Sequence, residues 1–525
     1  MNIAEILQQQ ARERAAAIAI YDTHKRQLRQ TSFSQLEQAA AQMAQLLAES
    51  GLKKGDAVLV FQPMSLELYI LLSALFRLGL IALFIDPSAA KGHLDRCCQL
   101  YPPRALVASS KAHLLRLVSK ELGRIPLKFS FGFPVPGARR LEPYRSALPL
   151  DTIEPCSSDV PALITFTSGS TGQPKAAVRS HGFLIAQHRA LEHSLELRAG
   201  ELDVSTLPIF VLANLASGVS SLIPNADLRK PGKIQAAPVM RQILELHPDR
   251  LSASPAFIER LVEHSRDERL SLPGLSRVYT GGAPVFPTAL ADFQALAPDA
   301  RVAAVYGSTE AEPIAHVNWT DVSQSDKEAM SRGKGLLTGP ICPDLSLSIL
   351  KNNWGRPLGL LSKAEFDELV CAPYHIGEIV VSGDHVLPGY LHGVGYEETK
   401  FDVEGQRWHR TGDLGYLDEE RRLWLMGRCA ALIEDDKGCL YPFAVECAAQ
   451  HYQGVRRSAV IAHKDKRLLI IEPRASSQPD LLAIKQGLAW AKLDEIIFMK
   501  LPVDKRHNAK IDYPALRKKL EQHRY

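Results

Sequence analysis

An α/β fold is predicted for this sequence: a large N-terminal domain of parallel βαβ sheets with a small β subdomain, then a small α+β C-terminal domain. Three observations carry the prediction. At 525 residues the chain is long for one domain. Short apolar, β-branched runs alternate with helical spacing between about residues 33 and 306, the pattern of parallel strands in a covered sheet. After Arg428 that pattern changes, which divides the chain into residues 1–428 and 429–525.

Phe33, Leu36, Ala40, Met43 and Leu47 recur at helical spacing, so a helix over 33–50 is expected ahead of a first strand at 57–61. A helix at 65–78, a strand at 80–85, a helix at 91–100 and a strand at 105–108 follow. Residues 69–85 could be mistaken for a membrane span, but Arg77 interrupts them, Gly79 breaks them and Asp86-Pro87 ends them. Seventeen residues are also short for a bilayer. A buried helix leading into a buried strand is expected instead. Residues 131–149, rich in Pro, Gly and Arg, read as irregular surface. Strands are then expected at 164–168, 203–207, 251–254, 276–280 and 302–306, with helices around 211–222, from Pro255 and from Pro287. Residues 377–390 alternate like half-buried strands. Beyond Arg428, strands at 458–462, 468–472 and 496–499 accompany a helix near 480–490.

Composition narrows the function classes. Net charge is +4, with 46% hydrophobic and 23% charged residues, so no nucleic-acid partner is implied. The eight cysteines form no C-x-x-C pair, which argues for reduced thiols in a cytoplasmic protein and against a zinc site. The N-terminus lacks the basic-then-apolar order of a signal peptide, and no integral membrane segment is expected.

The most informative stretch is Ile164 to Lys175, Ile-Thr-Phe-Thr-Ser-Gly-Ser-Thr-Gly-Gln-Pro-Lys. A strand runs into alternating hydroxyls and glycines (Thr167, Ser168, Gly169, Ser170, Thr171, Gly172), closed by Pro174 and Lys175. Glycines let backbone N–H groups converge, hydroxyls add donors and Lys175 adds a mobile cation, which suits the phosphates of a nucleotide. The spacing is not that of the mononucleotide P-loop. Two later strands end in glycine-bearing turns, Thr280-Gly281-Gly282-Ala283 and Tyr306-Gly307-Ser308-Thr309-Glu310. Ligands of open α/β sheets lie beyond the carboxyl ends of strands, where both turns fall.

These segments resemble the signatures of the acyl-adenylate-forming (AMP-binding) enzymes, and the resemblance implies ATP, Mg²⁺, a carboxylic acid and an acyl-AMP product. It implies phosphate binding by the loop through Lys175, with Thr167 near the metal. Gly282 and Ala283 would line adenine, Tyr306 and Gly307 would bound the base, Thr309 would bond a phosphate and Glu310 would hold Mg²⁺. The lesser alternative for Glu310 is a carboxylate at the start of a helix, and nothing in the pattern places Glu312, two residues on, as the ligand. Asp413, in Trp408-His-Arg-Thr-Gly-Asp, would accept both ribose hydroxyls after a Thr-Gly turn, and Arg428 would supply a positive fork. Lys510, in a loop before the last helix, fits the family's catalytic lysine on its mobile C-terminal domain; Lys505, Lys518 and Lys519 compete with it.

Two departures narrow the resemblance. Ala430 stands where acyl-CoA synthetases carry an Asp or Lys hinge, and the segment after it reads Glu434-Asp-Asp-Lys, acidic where CoA would enter. The whole chain resembles the β-lactone synthetases of bacterial long-chain olefin biosynthesis, most specifically in Val58–Pro87, Tyr279–Pro287 and Arg506–Lys510. That implies a 2-alkyl-3-hydroxy fatty acid as the small-molecule partner, and association with other enzymes of a hydrocarbon pathway. The competing readings are a fatty acyl-CoA or acyl-AMP ligase and a non-catalytic nucleotide-binding protein. His181 and His409 stand in motif loops, and neither is assigned as the base for ring closure.

Overall fold

A computed structural model describes residues 1–86, 92–168, 174–474, 477–504 and 510–522, and the fold is α/β as predicted. The chain divides into two compact units, Met1–Asn225 with Asp384–Tyr396, and Ala226–Gly383 with Glu397–Tyr525.

The first unit is built on a seven-stranded sheet. Its central strands Ala57–Phe61, Ile81–Phe84, Ala105–Ser109 and Leu127–Phe131 are parallel. Pro161–Ser168 joins them in parallel beside Ile81–Phe84 and turns back as the antiparallel strand Pro174–Ser180. All five residues of Ala57–Phe61 are buried, as expected for a strand covered on both faces. Every residue of helix Leu66–Arg77 except Glu67 is buried, and Arg77 is accommodated there by an ion pair to Glu37 at 2.6 Å and by the Leu150 carbonyl at 2.8 Å. The 69–85 run is therefore the buried helix and strand expected. Among the described residues no helix is long and apolar enough to cross a membrane.

Three expectations need correction. Helix Phe33–Glu49 does not precede the first strand: a hairpin of Ile18–His24 and Gln27–Ser32 comes before it. The helix expected over 211–222 is Pro208–Ala216, and Ser220–Leu222 is a strand pairing with Ile18–His24. The helix is closed by Gly218, whose φ of +71° is the left-handed conformation that ends a helix, while inside it Asn214 turns inward to the buried Asp203, Ser205 and Ser221. Within 131–149, Leu141 and Tyr144 are core residues, not surface.

In the second unit, strands Arg250–Ala253, Arg277–Gly281 and Arg301–Ser308 are parallel, and Ala311–Asn318 returns antiparallel. A second, mostly antiparallel sheet holds Gly377–Ser382, Gln406–Leu417 and Arg422–Arg428 side by side. One face of the middle strand carries Arg410, whose guanidinium is fully buried against Glu378 at 2.6 Å and donates to the Arg356 and Asn353 carbonyls. Residues after Arg428 form a three-stranded sheet, Val455–His463, Lys466–Pro473 and Glu495–Phe498, with helices Pro442–Ala449 and Tyr513–Gln522. Trp490 abuts Gly333, where a Cβ would collide with its indole.

Buried Glu446 links these two helices. Its carboxylate accepts from the Tyr513 hydroxyl at 2.5 Å and the Val460 N–H at 2.8 Å, yet burial pushes it up to about 7. The unfolded chain releases this proton near the ordinary value of about 4.3, so between roughly pH 5 and 7 the unfolded state binds fewer protons. Stability contributed by Glu446 therefore falls as pH rises through that window. Glu446→Gln keeps an acceptor and should flatten the decline of the unfolding midpoint between about pH 5 and 8. An identical pH profile in the variant would show that the proton resides elsewhere.

Candidate active site

Lys175 lies opposite Thr167 in the antiparallel pair that flanks residues 169–173. Gly169, Ser170, Thr171 and Gly172 fall outside the described residues. Lys175 is buried, unlike the mobile cation the sequence led us to expect. Its ammonium sits 5.7 Å from the centroid of the Tyr390 ring, a cation–π distance. Gly395, at φ +72°, makes room on another side, for a Cβ there would collide with the ammonium. The sequence between Asp384 and Tyr396 thus belongs with the strands that flank residues 169–173 in the first unit.

In the second unit, Gly281 lets the strand Arg301–Ser308 approach closely: a Cβ on it would stand 2.7 Å from the Val305 carbonyl oxygen. Gly282 takes φ +81° with open space above it. Thr309 and Glu310 form the tight turn between Arg301–Ser308 and Ala311–Asn318, so Glu310 begins no helix. The Glu310 N–H donates to the Ser308 hydroxyl at 3.2 Å.

Asp413 is where Tyr306 and Arg428 meet. The Thr-Gly before it is a kink inside the continuous strand Gln406–Leu417 and not a turn, with Gly412 at φ +72°. The neighbouring strand sets Arg428 directly opposite Asp413, and Nε lies 3.2 Å from Oδ1. The Tyr306 hydroxyl donates to Asp413 Oδ2 at 2.7 Å, and the Asp413 N–H donates to Thr411 Oγ1 at 3.1 Å. Burial raises the Asp413 carboxyl, opposed by Arg428, the Tyr306 hydroxyl and the charge of Lys510. Lys510 is exposed, but its charge reaches this carboxylate. Its backbone is held by reciprocal bonds with Asp504, at 3.0 Å to the carboxylate and 2.9 Å from the Asp504 N–H. Of its competitors, Lys505 lies outside the described residues and Lys519 donates to the Lys500 carbonyl at 2.9 Å.

Two residues in the field of Glu310 went unassigned in the sequence. Lys400 and His409 face each other across paired strands, both buried. Burial brings Lys400 down to about 7 and His409 to about 3, with the Glu310 charge opposing both shifts. His409 is thus a neutral imidazole, 3.1 Å from the Thr399 carbonyl through Nδ1–H. Nothing in the run Thr399-Lys400-Phe401-Asp402-Val403 marks its lysine as buried. His181 is also buried, and its Nδ1 accepts the Ile3 N–H at 3.2 Å, a structural role at a helix start.

Among the described residues no three His, Cys, Asp or Glu side chains group as a metal site.

The model of the AMP-binding enzyme family matches residues 7–391. An olefin β-lactone synthetase of Stenotrophomonas maltophilia is 30% identical, covering 97% of this chain and 96% of that protein. A second, from Xanthomonas campestris pv. campestris, is 27% identical over the same shares. Among solved structures, the amide bond synthetase McbA of Marinactinospora thermotolerans superposes with a TM-score of 0.80 at 20% identity, covering 98% of this chain and 99% of that one. ATP-bound MatB of Rhodopseudomonas palustris gives 0.79 at 20% identity and 99% of both chains.

Proposed function

Because the chain belongs to the AMP-binding enzyme family and is an ATP-dependent adenylate-forming ligase, we propose that its acid is a 2-alkyl-3-hydroxy fatty acid closed to a β-lactone. The observation that carries this reading is similarity over 97% of the chain to two olefin β-lactone synthetases. The acid's carboxylate attacks the α-phosphorus of ATP and pyrophosphate leaves. The 3-hydroxyl oxygen then attacks the acyl carbon, the acyl–phosphate bond breaks, AMP departs and the hydroxyl proton passes to solvent. No thiol is needed, since an internal nucleophile can reach effective molarities of ~10⁵–10⁸ M.

Asp413 accepts the ribose hydroxyls, Arg428 and Tyr306 hold its carboxylate in place, and the phosphate loop with Lys175 carries the phosphates. Residues 429–525 act as the mobile domain that brings Lys510 to the reacting carboxylate. Glu310 and Thr167 would hold magnesium, which would supply charge neutralisation for the departing pyrophosphate. Ala430 in the place of a charged hinge supports the lactone reading. Of the acidic segment after it, Asp435 is taken up by Arg467 at 2.5 Å, which leaves Glu434 and Asp436 as exposed carboxylates.

Asp413→Ala should weaken ATP binding on the order of 10–100-fold, since two ribose hydroxyls lose their shared acceptor. Unchanged affinity by calorimetry contradicts the ribose assignment. With ATP, Mg²⁺ and a 2-alkyl-3-hydroxy acid, the expected products are AMP, pyrophosphate and a β-lactone, identified by mass and by its strained carbonyl in the infrared. The matched acid without a 3-hydroxyl should be adenylated and go no further. Stoichiometric CoA consumption with a thioester product would establish the CoA-ligase reading instead.

A further inference from the structure

The first unit carries an apolar, basic surface beyond the carboxyl ends of strands Ala105–Ser109 and Leu127–Phe131. It consists of the turn 111–118 and the loop 132–137, and the two are tied together. Arg116 Nη1 donates to the Pro136 carbonyl at 3.0 Å, and Ser110 Oγ donates to the Phe133 carbonyl at 2.8 Å. The inner side of the turn is anchored already, with Ala112 and Leu115 packed on the core and His113 Nε2 3.0 Å from the Phe129 carbonyl. Its outward side chains are surplus to that core: Leu114, Leu117, Val118 and Phe133 are 65, 82, 80 and 83% exposed. Scattered exposed apolar residues need no explanation, but four this bare on adjoining segments mark a contact surface.

Charge indicates what covers it. Residues 110–120 and 132–138 hold Lys111, Arg116 and Lys120 and no acidic residue, and Glu121 and Glu142 stand just beyond the two segments. Both acids are paired, Glu121 with Arg124 at 2.9 Å and Glu142 with Arg140 at 3.4 Å. Nearby Asp95 receives the Ser119 hydroxyl. Exposed Lys111 and Lys120 bracket the apolar turn on its two sides, and Arg116 lies within it. Nucleic acid would answer the charge and leave the aliphatic side chains in water. A bilayer with anionic headgroups answers both, with apolar tips below the phosphates and cations level with them.

We propose that this surface seats the protein peripherally on an anionic lipid membrane, with Leu114, Leu117, Val118 and Phe133 entering the headgroup layer. Lys111, Arg116 and Lys120 meet the lipid phosphates. The attachment is reversible and independent of which acid the enzyme activates.

Flotation of the full chain with vesicles tests this. The protein should float with 1:1 phosphatidylglycerol/phosphatidylcholine vesicles at low salt, float less at high salt, and stay behind with pure phosphatidylcholine. Lys111→Ala with Lys120→Ala should reduce partitioning about tenfold, as two headgroup charges are lost. Leu117→Ser, Val118→Ser and Phe133→Ser together should reduce it on the order of tenfold or more. All these positions are exposed, so an unchanged unfolding midpoint shows that folding is intact. Absence of flotation with anionic vesicles, or flotation unaltered in both variants, overturns the proposal. So does a parent that ignores vesicles but self-associates in a way the triple serine variant abolishes, which makes the surface a protein interface.

Discussion

Lys510→Ala is expected to slow acyl-adenylate formation by about 10²–10³-fold while ATP still binds, the usual cost of losing one preorganised charge donor. The attacking carboxylate and the α-phosphate are both anionic, so negative charge accumulates between them as the bond forms. In the proposed reaction the Lys510 ammonium offsets it; the Lys510 backbone is held by Asp504 and its charge reaches Asp413. ATP affinity should change little, because the proposed assignment gives ribose and phosphates to other groups. Pyrophosphate exchange measures the rate, and calorimetry the binding. A Lys510→Ala variant that adenylates at the parental rate transfers the role to Lys505.

Arg410→Met is expected to destabilise the second unit by about 3–5 kcal/mol, the cost of leaving a buried carboxylate unpaired. Burial already holds the Glu378 carboxyl above its usual range in spite of the Arg410 guanidinium beside it. The pair therefore adds little net stability while intact, but either half alone is costly. The penalty would fall on the strand that carries Asp413, so denaturant unfolding should shift and ATP binding weaken together. A shift below about 1 kcal/mol would mean that Glu378 takes up a proton or water at little cost. Arg410→Met with Glu378→Met should recover much of the loss.

The parallel strands of the first unit were legible because burial on both faces leaves short, uninterrupted apolar runs such as Ala57–Phe61. The hairpin of Ile18–His24 and Gln27–Ser32 was not. Its turn puts Lys25 and Arg26 at positive φ, where glycine or asparagine would have signalled it, and its second strand, Gln-Leu-Arg-Gln-Thr-Ser, is largely polar. The site divides in the same way. Asp413 and Tyr306 are each recognisable in a local motif, but their hydrogen bond joins positions 107 residues apart. Lys400 carried no local mark at all, since burial of a lysine is settled by which strands pair, and pairing is not written in a five-residue window.

The placement of Tyr390 and Gly395 around Lys175 has a consequence for the order in which this protein matures on the ribosome. Residues 226–396 must be added after the first unit's main stretch before those two partners exist, an interval of roughly 10–30 s at ordinary synthesis rates. During that time the strand holding Lys175 can pair with Pro161–Ser168, but the lysine's pocket is unfinished. A chain released at residue 225 would therefore keep the two strands that flank residues 169–173 and lack the aromatic ring and the glycine beside Lys175.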